Sequence, residues 1–336
     1  MRTLEQTIDY INKTKLSELI DNFTRDYKIS VNKSRKKFRN SYLEYFKENG
    51  DVGRFIAHKY FDRFNWEKSI DHTFFEEIDP AIYCSDNGSE PSFFNAIKHL
   101  KTNIGEINKM TFKDEKSRDV LNWLINYRLT GNKLLFFEES TPIEESYFDR
   151  DYIMPWVGEQ NNMMCIDMGG FDGDTAIGMY NRISGSRIIS FEPDKENYKK
   201  LKKNCSMYKD RIKFINKGCG EKNRYVALGG YGDSVYIVEN PVDKRDLIEI
   251  CSLDDEVEKK VDYIKMDIEG SELSALKGAK NHIISDNPNM AVCIYHKIED
   301  FLDIYNYIKG LSDRYSFVMR HYGVGRSEVV LYAIYD

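Results

Sequence analysis

The chain has 336 residues, 41% hydrophobic and 31% charged, which is enough apolar material for one large or two ordinary domains and too much for a disordered polymer. A mean hydropathy of -0.58 excludes a membrane bundle, no stretch approaches the roughly 20 apolar residues of a spanning helix, and Arg2, Glu5 and Asp9 interrupt the start where a secretory leader needs an apolar run. These readings lead to the expectation of a cytoplasmic protein, and the net charge of -6 is uneven, with 15 Lys/Arg against 10 Asp/Glu in residues 1–70 and 34 against 45 in the remainder, so the larger part lacks the basic footprint of a nucleic-acid binder.

Leu4, Ile8 and Ile11, then Leu16, Leu19, Ile20 and Phe23, recur at the three- and four-residue steps of an apolar helix face. The spacing predicts a second helix over 34–49, where Lys33, Arg35, Lys36, Lys37 and Arg39 accompany Phe38, Tyr42, Tyr45 and Phe46. A solvated charged face explains this helix, and contact with an acidic substrate or membrane surface is the alternative. Asp86-Asn87-Gly88-Ser89 signals a turn, and Pro91 to Leu100 and Ser117 to Leu129 again read as helices. Cys84, Cys165, Cys205, Cys219, Cys251 and Cys293 stand singly, which suits neither a disulfide framework nor a zinc site and predicts reduced structural thiols.

Beyond residue 160 short apolar runs alternate with amphipathic stretches, the pattern of a parallel sheet covered by helices. Strands are predicted at Met163 to Asp167, Arg187 to Phe191, Ile212 to Asn216, Asp262 to Met266 and Met290 to Tyr295. Helices are predicted at Thr175 to Ile183, Lys195 to Ser206, Glu272 to Ile284 and Phe301 to Leu311. Tyr315 to Arg320 and Glu328 to Ile334, separated by Gly323 and Gly325, read as an antiparallel hairpin closing the sheet. The fold class expected is therefore α/β, a doubly wound Rossmann-like sheet with a terminal antiparallel hairpin, the architecture of class I methyltransferases. It would occupy residues 141–336, with a mainly helical accessory or substrate-side region at 1–140.

The first of these strands runs into Asp167-Met168-Gly169-Gly170-Phe171-Asp172-Gly173-Asp174-Thr175, a glycine-rich turn where an α/β sheet places its ligand. The glycine spacing is not G-x-G-x-x-G, and Asp172 and Asp174 would repel a pyrophosphate, whereas a cationic donor such as S-adenosylmethionine suits an acidic turn. Thr175, or Asp174 in competition, should cap the following helix. Glu192 at the end of the next strand stands where a carboxylate accepts ribose hydroxyls. Asp267 and Glu269 end a later buried strand at the expected switch point and should face substrate, although Glu269 or Ser271 could instead cap the next helix. Strand alternation gives Lys265 the same facing as these two acids, but its nearness to the middle of the strand makes a buried ion pair possible. His296 follows the fifth strand and is a candidate general base, with Asp267 the competing one. His321 could contact substrate or lie on the surface, and His58, His72, His99 and His282 show no metal spacing. The excursion Gly229 to Ser234 could fold over a ligand or form a plain hairpin turn.

These segments together resemble the FkbM family of S-adenosylmethionine-dependent methyltransferases over roughly residues 143 to 336. The resemblance rests on Glu145-Ser146-Tyr147-Phe148, the turn Cys165 to Thr175, Phe191-Glu192-Pro193 with Leu201 and Asn204, Ser252-Leu253-Asp254-Asp255, and above all Ile264-Lys265-Met266-Asp267-Ile268-Glu269-Gly270-Ser271-Glu272-Leu273 with Leu276-Lys277-Gly278-Ala279. The family commonly has an acid before the histidine of the fifth strand, where this chain reads Ile294-Tyr295-His296-Lys297. The resemblance implies S-adenosylmethionine as donor and a hydroxyl acceptor on a sugar, polysaccharide precursor or natural product.

The expected site is then Asp167, Gly169, Gly170, Asp172, Gly173, Thr175, Glu192 and Asp267 for the cofactor and His296, Asp267 and Glu269 for chemistry. A metal-free base is preferred over a Mg²⁺ or Mn²⁺ ion held by Asp267, Glu269 and His296. A small-molecule or glycan-precursor acceptor is expected and no nucleic acid. Competing readings are a non-catalytic cofactor- or partner-binding module on the same fold and, more remotely, a nucleotide-sugar oxidoreductase, which would need a Tyr-x-x-x-Lys base that Tyr198-Lys199-Lys200-Leu201-Lys202 does not supply.

Overall fold

A computed structural model of the protein describes residues 2–23, 90–130, 141, 143–229, 236–238, 247–322 and 328–336. The helix predicted over 34–49, the turn at 86–89, Cys84, His58, His72 and most of the 229–234 excursion lie outside the described residues. The chain divides into two compact units, one of Met1–Met110, Glu115–Ile143 and Arg320–Glu328, the other of Thr111–Asp114, Glu144–Met319 and Val329–Asp336.

In the first unit α1 (Leu4–Lys13), α2 (Glu90–Ile107) and α3 (Glu115–Thr130) pack together. Thr3 and Gln6 form a capping box that starts α1, whose Leu4, Ile8 and Ile11 are buried as their spacing requires. Polar groups inside the bundle are paired, with the Thr7 hydroxyl donating to Asn122 Oδ1 (3.1 Å) and Asn126 Nδ2 donating to the same oxygen (2.8 Å).

The second unit is built on a seven-stranded sheet of order β10-β11-β9-β8-β1-β2-β3. Its strands are β1 (Met164–Met168), β2 (Arg187–Phe191), β3 (Ile212–Ile215), β8 (Tyr263–Met266), β9 (Asn289–Cys293), β10 (Tyr315–His321) and β11 (Val329–Tyr335). β1 runs parallel to both β2 and β8, and β11 is antiparallel to β9. All residues of β1, β8 and β9 are buried, which is why they read as continuous apolar runs and not as alternating ones. Helices α4 (Ile153–Gly158), α5 (Asp174–Arg182), α6 (Lys195–Asn204), α7 (Leu253–Glu256), α8 (Glu272–Gly278), α9 (Lys280–Ser285) and α10 (Asp300–Leu311) complete the unit.

Chain order progresses outward from β1 to β2 and β3, then returns to β8 on the other side, so the sheet reverses direction between β1 and β8. A crevice at the carboxyl ends of these two strands is where such folds bind ligands.

Three features depart from expectation. Between β3 and β8 lies a second sheet of order β4-β7-β5-β6, made of β4 (Gly218–Cys219), β5 (Arg224–Gly229), β6 (Tyr236–Val238) and β7 (Leu247–Cys251) and closed over Val226, Ile248 and Ile250. The helix predicted from Glu272 to Ile284 is two helices, because the Asp254 carboxylate accepts from the backbone of Asn281 (2.9 Å) and His282 (3.1 Å) and caps a fresh start. Neither Thr175 nor Asp174 caps α5: Gly173 holds that position with φ +96°, and Thr175 lies inside the helix with its hydroxyl 3.2 Å from Asp174 Oδ1.

Candidate functional site

The turn after β1 is closed by its own chain. Gly169 and Gly170 both donate to Phe191 O (3.0 and 2.9 Å), and Gly173 donates to Gly170 O (2.8 Å). Phe171 N donates to Glu192 Oε2 (2.9 Å), Asp174 N to Asp172 Oδ1 (3.3 Å) and Thr175 N to Asp174 Oδ1 (2.6 Å). A pyrophosphate site offers such amides to the ligand; here carbonyls and carboxylates already hold them. The glycines are needed for packing as much as for ligand approach. A Cβ would meet Asp267 O at 1.9 Å from Gly169, Ser190 Oγ at 2.2 Å from Gly170 and Cys205 Sγ at 2.4 Å from Gly173.

Asp167 lies beneath the turn, fully buried, accepting from the Ser190 hydroxyl (2.7 Å) and paired with Lys265 Nζ at 3.2 Å. Lys265, its registered neighbour on β8, also donates to Gly169 O at 2.7 Å. Burial opposes the Lys265 charge, but Asp167 and Asp267 beside it hold its pKa above the ordinary lysine value. The buried ion pair that Lys265's place near the middle of its strand left open thus forms with the neighbouring strand. Glu192 is buried at the end of β2, each carboxylate oxygen taking one backbone amide, from Asp194 (2.8 Å) and Phe171 (2.9 Å). Each oxygen keeps a further lone pair for a ligand. Burial pushes its pKa up to about 7 despite these amides.

Across the crevice, Asp267 accepts from Tyr147 OH (2.7 Å) and Tyr295 OH (3.3 Å). The residue standing where the FkbM resemblance implies an acid is therefore a tyrosine that orients Asp267. Glu269, with φ +54°, precedes Gly270 at φ +89° in the tight turn after β8. His296 Nε2 is 3.4 Å from Asp267 Oδ1 and 3.5 Å from Glu269 Oε2, and its Nδ1 is 3.0 Å from Glu272 Oε1. Burial disfavours the imidazolium, yet Glu272, Glu269 and Asp267 together raise its pKa well above the ordinary histidine value. Ser271 stands at the N-cap of α8 without a capping hydrogen bond, and Glu269 does not cap either; Glu272 Oε1 accepts from Ile268 N (2.9 Å).

The structure therefore brings Asp267, Glu269 and His296 into one cluster and sets Asp167, Gly169, Gly170, Asp172, Gly173, Thr175 and Glu192 around the turn. Glu272 and Tyr147 stand among the residues of the family resemblance, but sequence reasoning gives neither a role in the site. Glu272 reads as an ordinary acid in a helix's first turn, while Tyr147 sits with φ +66° in a connection whose role no periodicity reveals. His321 is fully buried, so its surface placement is excluded, and His282 is engaged with Asp286 (2.6 Å) and Val257 O (2.8 Å).

A parallel sheet reversing between β1 and β8, an antiparallel ending and an acidic, internally bonded turn define the class I, Rossmann-like methyltransferase fold. Residues 167–317 match the model of the Methyltransferase FkbM domain. The crystal structure of Methyltransferase FkbM from Methylobacillus flagellatus is similar at 26% identity and a TM-score of 0.62, over 79% of this chain and 72% of that one. An rRNA methylase from Streptococcus thermophilus is 13% identical over 55% of this chain and 93% of its own, with a TM-score of 0.36. A Streptococcus mutans protein in complex with SAH is 10% identical over 58% and 99%, with a TM-score of 0.37. No curated protein sequence matches the chain.

Proposed function

We propose that the protein transfers a methyl group from S-adenosylmethionine to a hydroxyl of a small-molecule or glycan-precursor acceptor, such as a sugar, a surface-polysaccharide precursor or a natural product. The observation that carries this reading is the character of the crevice rim, which presents carboxylates where a dinucleotide fold presents free amides. When bound, S-adenosylmethionine supplies a methyl group activated by a positively charged sulfur. Glu192 accepts the ribose hydroxyls through its remaining lone pairs, Asp172 and Asp267 complement the positive charge, and Asp167, with Lys265, keeps the turn in shape from below. On the acceptor side the Asp267, Glu269 and His296 cluster takes up the hydroxyl proton as the sulfur–methyl bond breaks and the oxygen–methyl bond forms. Alignment supplies most of the rate, and the proton acceptor adds roughly 10² to 10⁴-fold.

Glu192 gives the test its sign. Its pKa lies at about 7, so the free protein loses the ionised acceptor as pH falls through that value. If ribose binding needs the carboxylate, affinity for S-adenosylmethionine should weaken about tenfold between pH 8 and pH 6. In Glu192→Gln it should be low and flat across that range. Isothermal titration reads both, and equal affinity in wild type and variant would remove Glu192 from the site. Incubation with labelled donor and a panel of sugar acceptors then separates an enzyme from a binding module, which would take up donor and transfer nothing.

A further inference from the structure

We propose that Asp267, Glu272 and His296, with Glu269 beside them, form a divalent-cation site of the Mg²⁺ or Mn²⁺ class. One ligand atom from each of the first three lies within 4.8 Å of the others. Two oxygens or nitrogens bound at right angles to one such cation stand about 3 Å apart. The two ring nitrogens of His296 diverge, so a single ion takes one of them: Nε2 stands 3.4 Å from Asp267 Oδ1 and 3.5 Å from Glu269 Oε2, close to that spacing, and Nδ1 lies 3.0 Å from Glu272 Oε1.

At such distances a histidine N–H ordinarily points at the carboxylate. Neither ring nitrogen does so, although the side chain is only 8% exposed, and both are left without a hydrogen bond. A buried imidazole whose nitrogens lie 3.0 to 3.5 Å from carboxylates without a hydrogen bond keeps a lone pair that an ion can take on one side. Glu272 supplies a second sign: it is fully buried, and its Oε2 has no hydrogen-bond partner. A buried carboxylate oxygen left unsatisfied is costly unless something charged meets it. Asp300, also buried beside Glu272, adds to the negative charge the cluster must balance.

Oxygen donors with one imidazole suit a hard or borderline cation that retains open positions for water or substrate. Binding of the ion stands on this geometry alone. Its role, coordinating and acidifying the acceptor hydroxyl while the Glu269 carboxylate beside the ion takes the proton, rests on the methyl-transfer reading above.

The test uses the full-length protein stripped with EDTA and titrated with Mn²⁺. One equivalent should bind, quenching the aqueous Mn²⁺ electron paramagnetic resonance signal, and pulsed spectra of the wild type should show nitrogen coupling from an imidazole ligand. Glu272→Gln and His296→Asn should weaken binding at least about tenfold, the loss expected when one charged or imidazole ligand is removed. An undiminished aqueous signal, bound Mn²⁺ without nitrogen coupling, or equal binding by folded variants would overturn the site. The wild-type spectrum decides the matter even where a variant does not fold. Titration of the same stripped protein with S-adenosylmethionine separates the two readings: donor binding without Mn²⁺ binding discards the cation, and the reverse discards the methyl donor.

Discussion

Replacing Lys265 by methionine should destabilise the protein by about 3 to 5 kcal/mol, because it leaves a fully buried carboxylate without its cation. Lys265 Nζ touches Asp167 Oδ1 at 3.2 Å and the Gly169 carbonyl at 2.7 Å, so the change also frees a carbonyl of the turn. Methionine keeps the length of the stem, which confines the loss to the charge and its hydrogen bonds. The pH dependence carries the diagnosis. Burial already raises the Asp167 pKa against the opposing pull of Lys265 and Ser190, and without the lysine it must rise further. A native state that then binds a proton the unfolded chain has lost becomes less stable as pH rises above the ordinary carboxylate range. The deficit of Lys265→Met should therefore grow between pH 5 and pH 8. Adding Asp167→Asn should recover part of it and flatten the profile. Urea denaturation at the two pH values measures wild type, single and double variant, and a deficit under about 1 kcal/mol at pH 8, the worth of an exposed pair, would mean that Asp167 is not held by this lysine.

The same pair shows what can be read from the chain and what cannot. Residues Arg187–Phe191 form a strand with the limits their pattern suggests, since a strand buried on both faces leaves a continuous apolar run. The place of Lys265 near the middle of its strand also points to a buried ion pair. Its partner is set by lateral register, Asp167 opposite Lys265 across two strands almost a hundred residues apart, and no local pattern contains that. The small sheet escapes for a related reason: β4 has two residues and β6 three, too few for a period to show. Caps are illegible where the acceptor comes from another element, as with Asp254 at the start of α9. Within the site, Asp267 and His296 are legible as chemistry-bearing residues at strand ends. Glu272 is not, because its meaning lies in complete burial against His296, and an acid in a helix's first turn is ordinarily solvated.

The crevice itself depends on one close approach of two backbones, and Gly169→Ala should be among the most damaging single-methyl changes at the described glycines. The added Cβ would lie 1.9 Å from the Asp267 carbonyl oxygen and 3.0 Å from its carbon, neither of which belongs to a side chain that can turn away. At φ +86° the residue is also in the left-handed region, which penalises any Cβ. The only relief is to part β1 from β8 where Asp267 N donates to Met168 O (3.1 Å), at the ends that deliver Asp167 and Asp267. A loss of about 4 kcal/mol or more is expected, enough to abolish folding of a marginal domain. Gly105 supplies the contrast: it lies in α2, and a methyl group added there would meet nothing within 4 Å, so Gly105→Ala should be neutral or gain about 0.5 kcal/mol from helix propensity. Urea midpoints for the two variants, taken with donor titrations on whatever Gly169→Ala folds, distinguish a packing constraint from a ligand contact. If Gly169→Ala kept wild-type stability and lost only donor affinity, the glycine would serve the ligand and the strands would have room to spare; the distances require the opposite order, with stability lost first and the site lost because the strand ends that form it have separated.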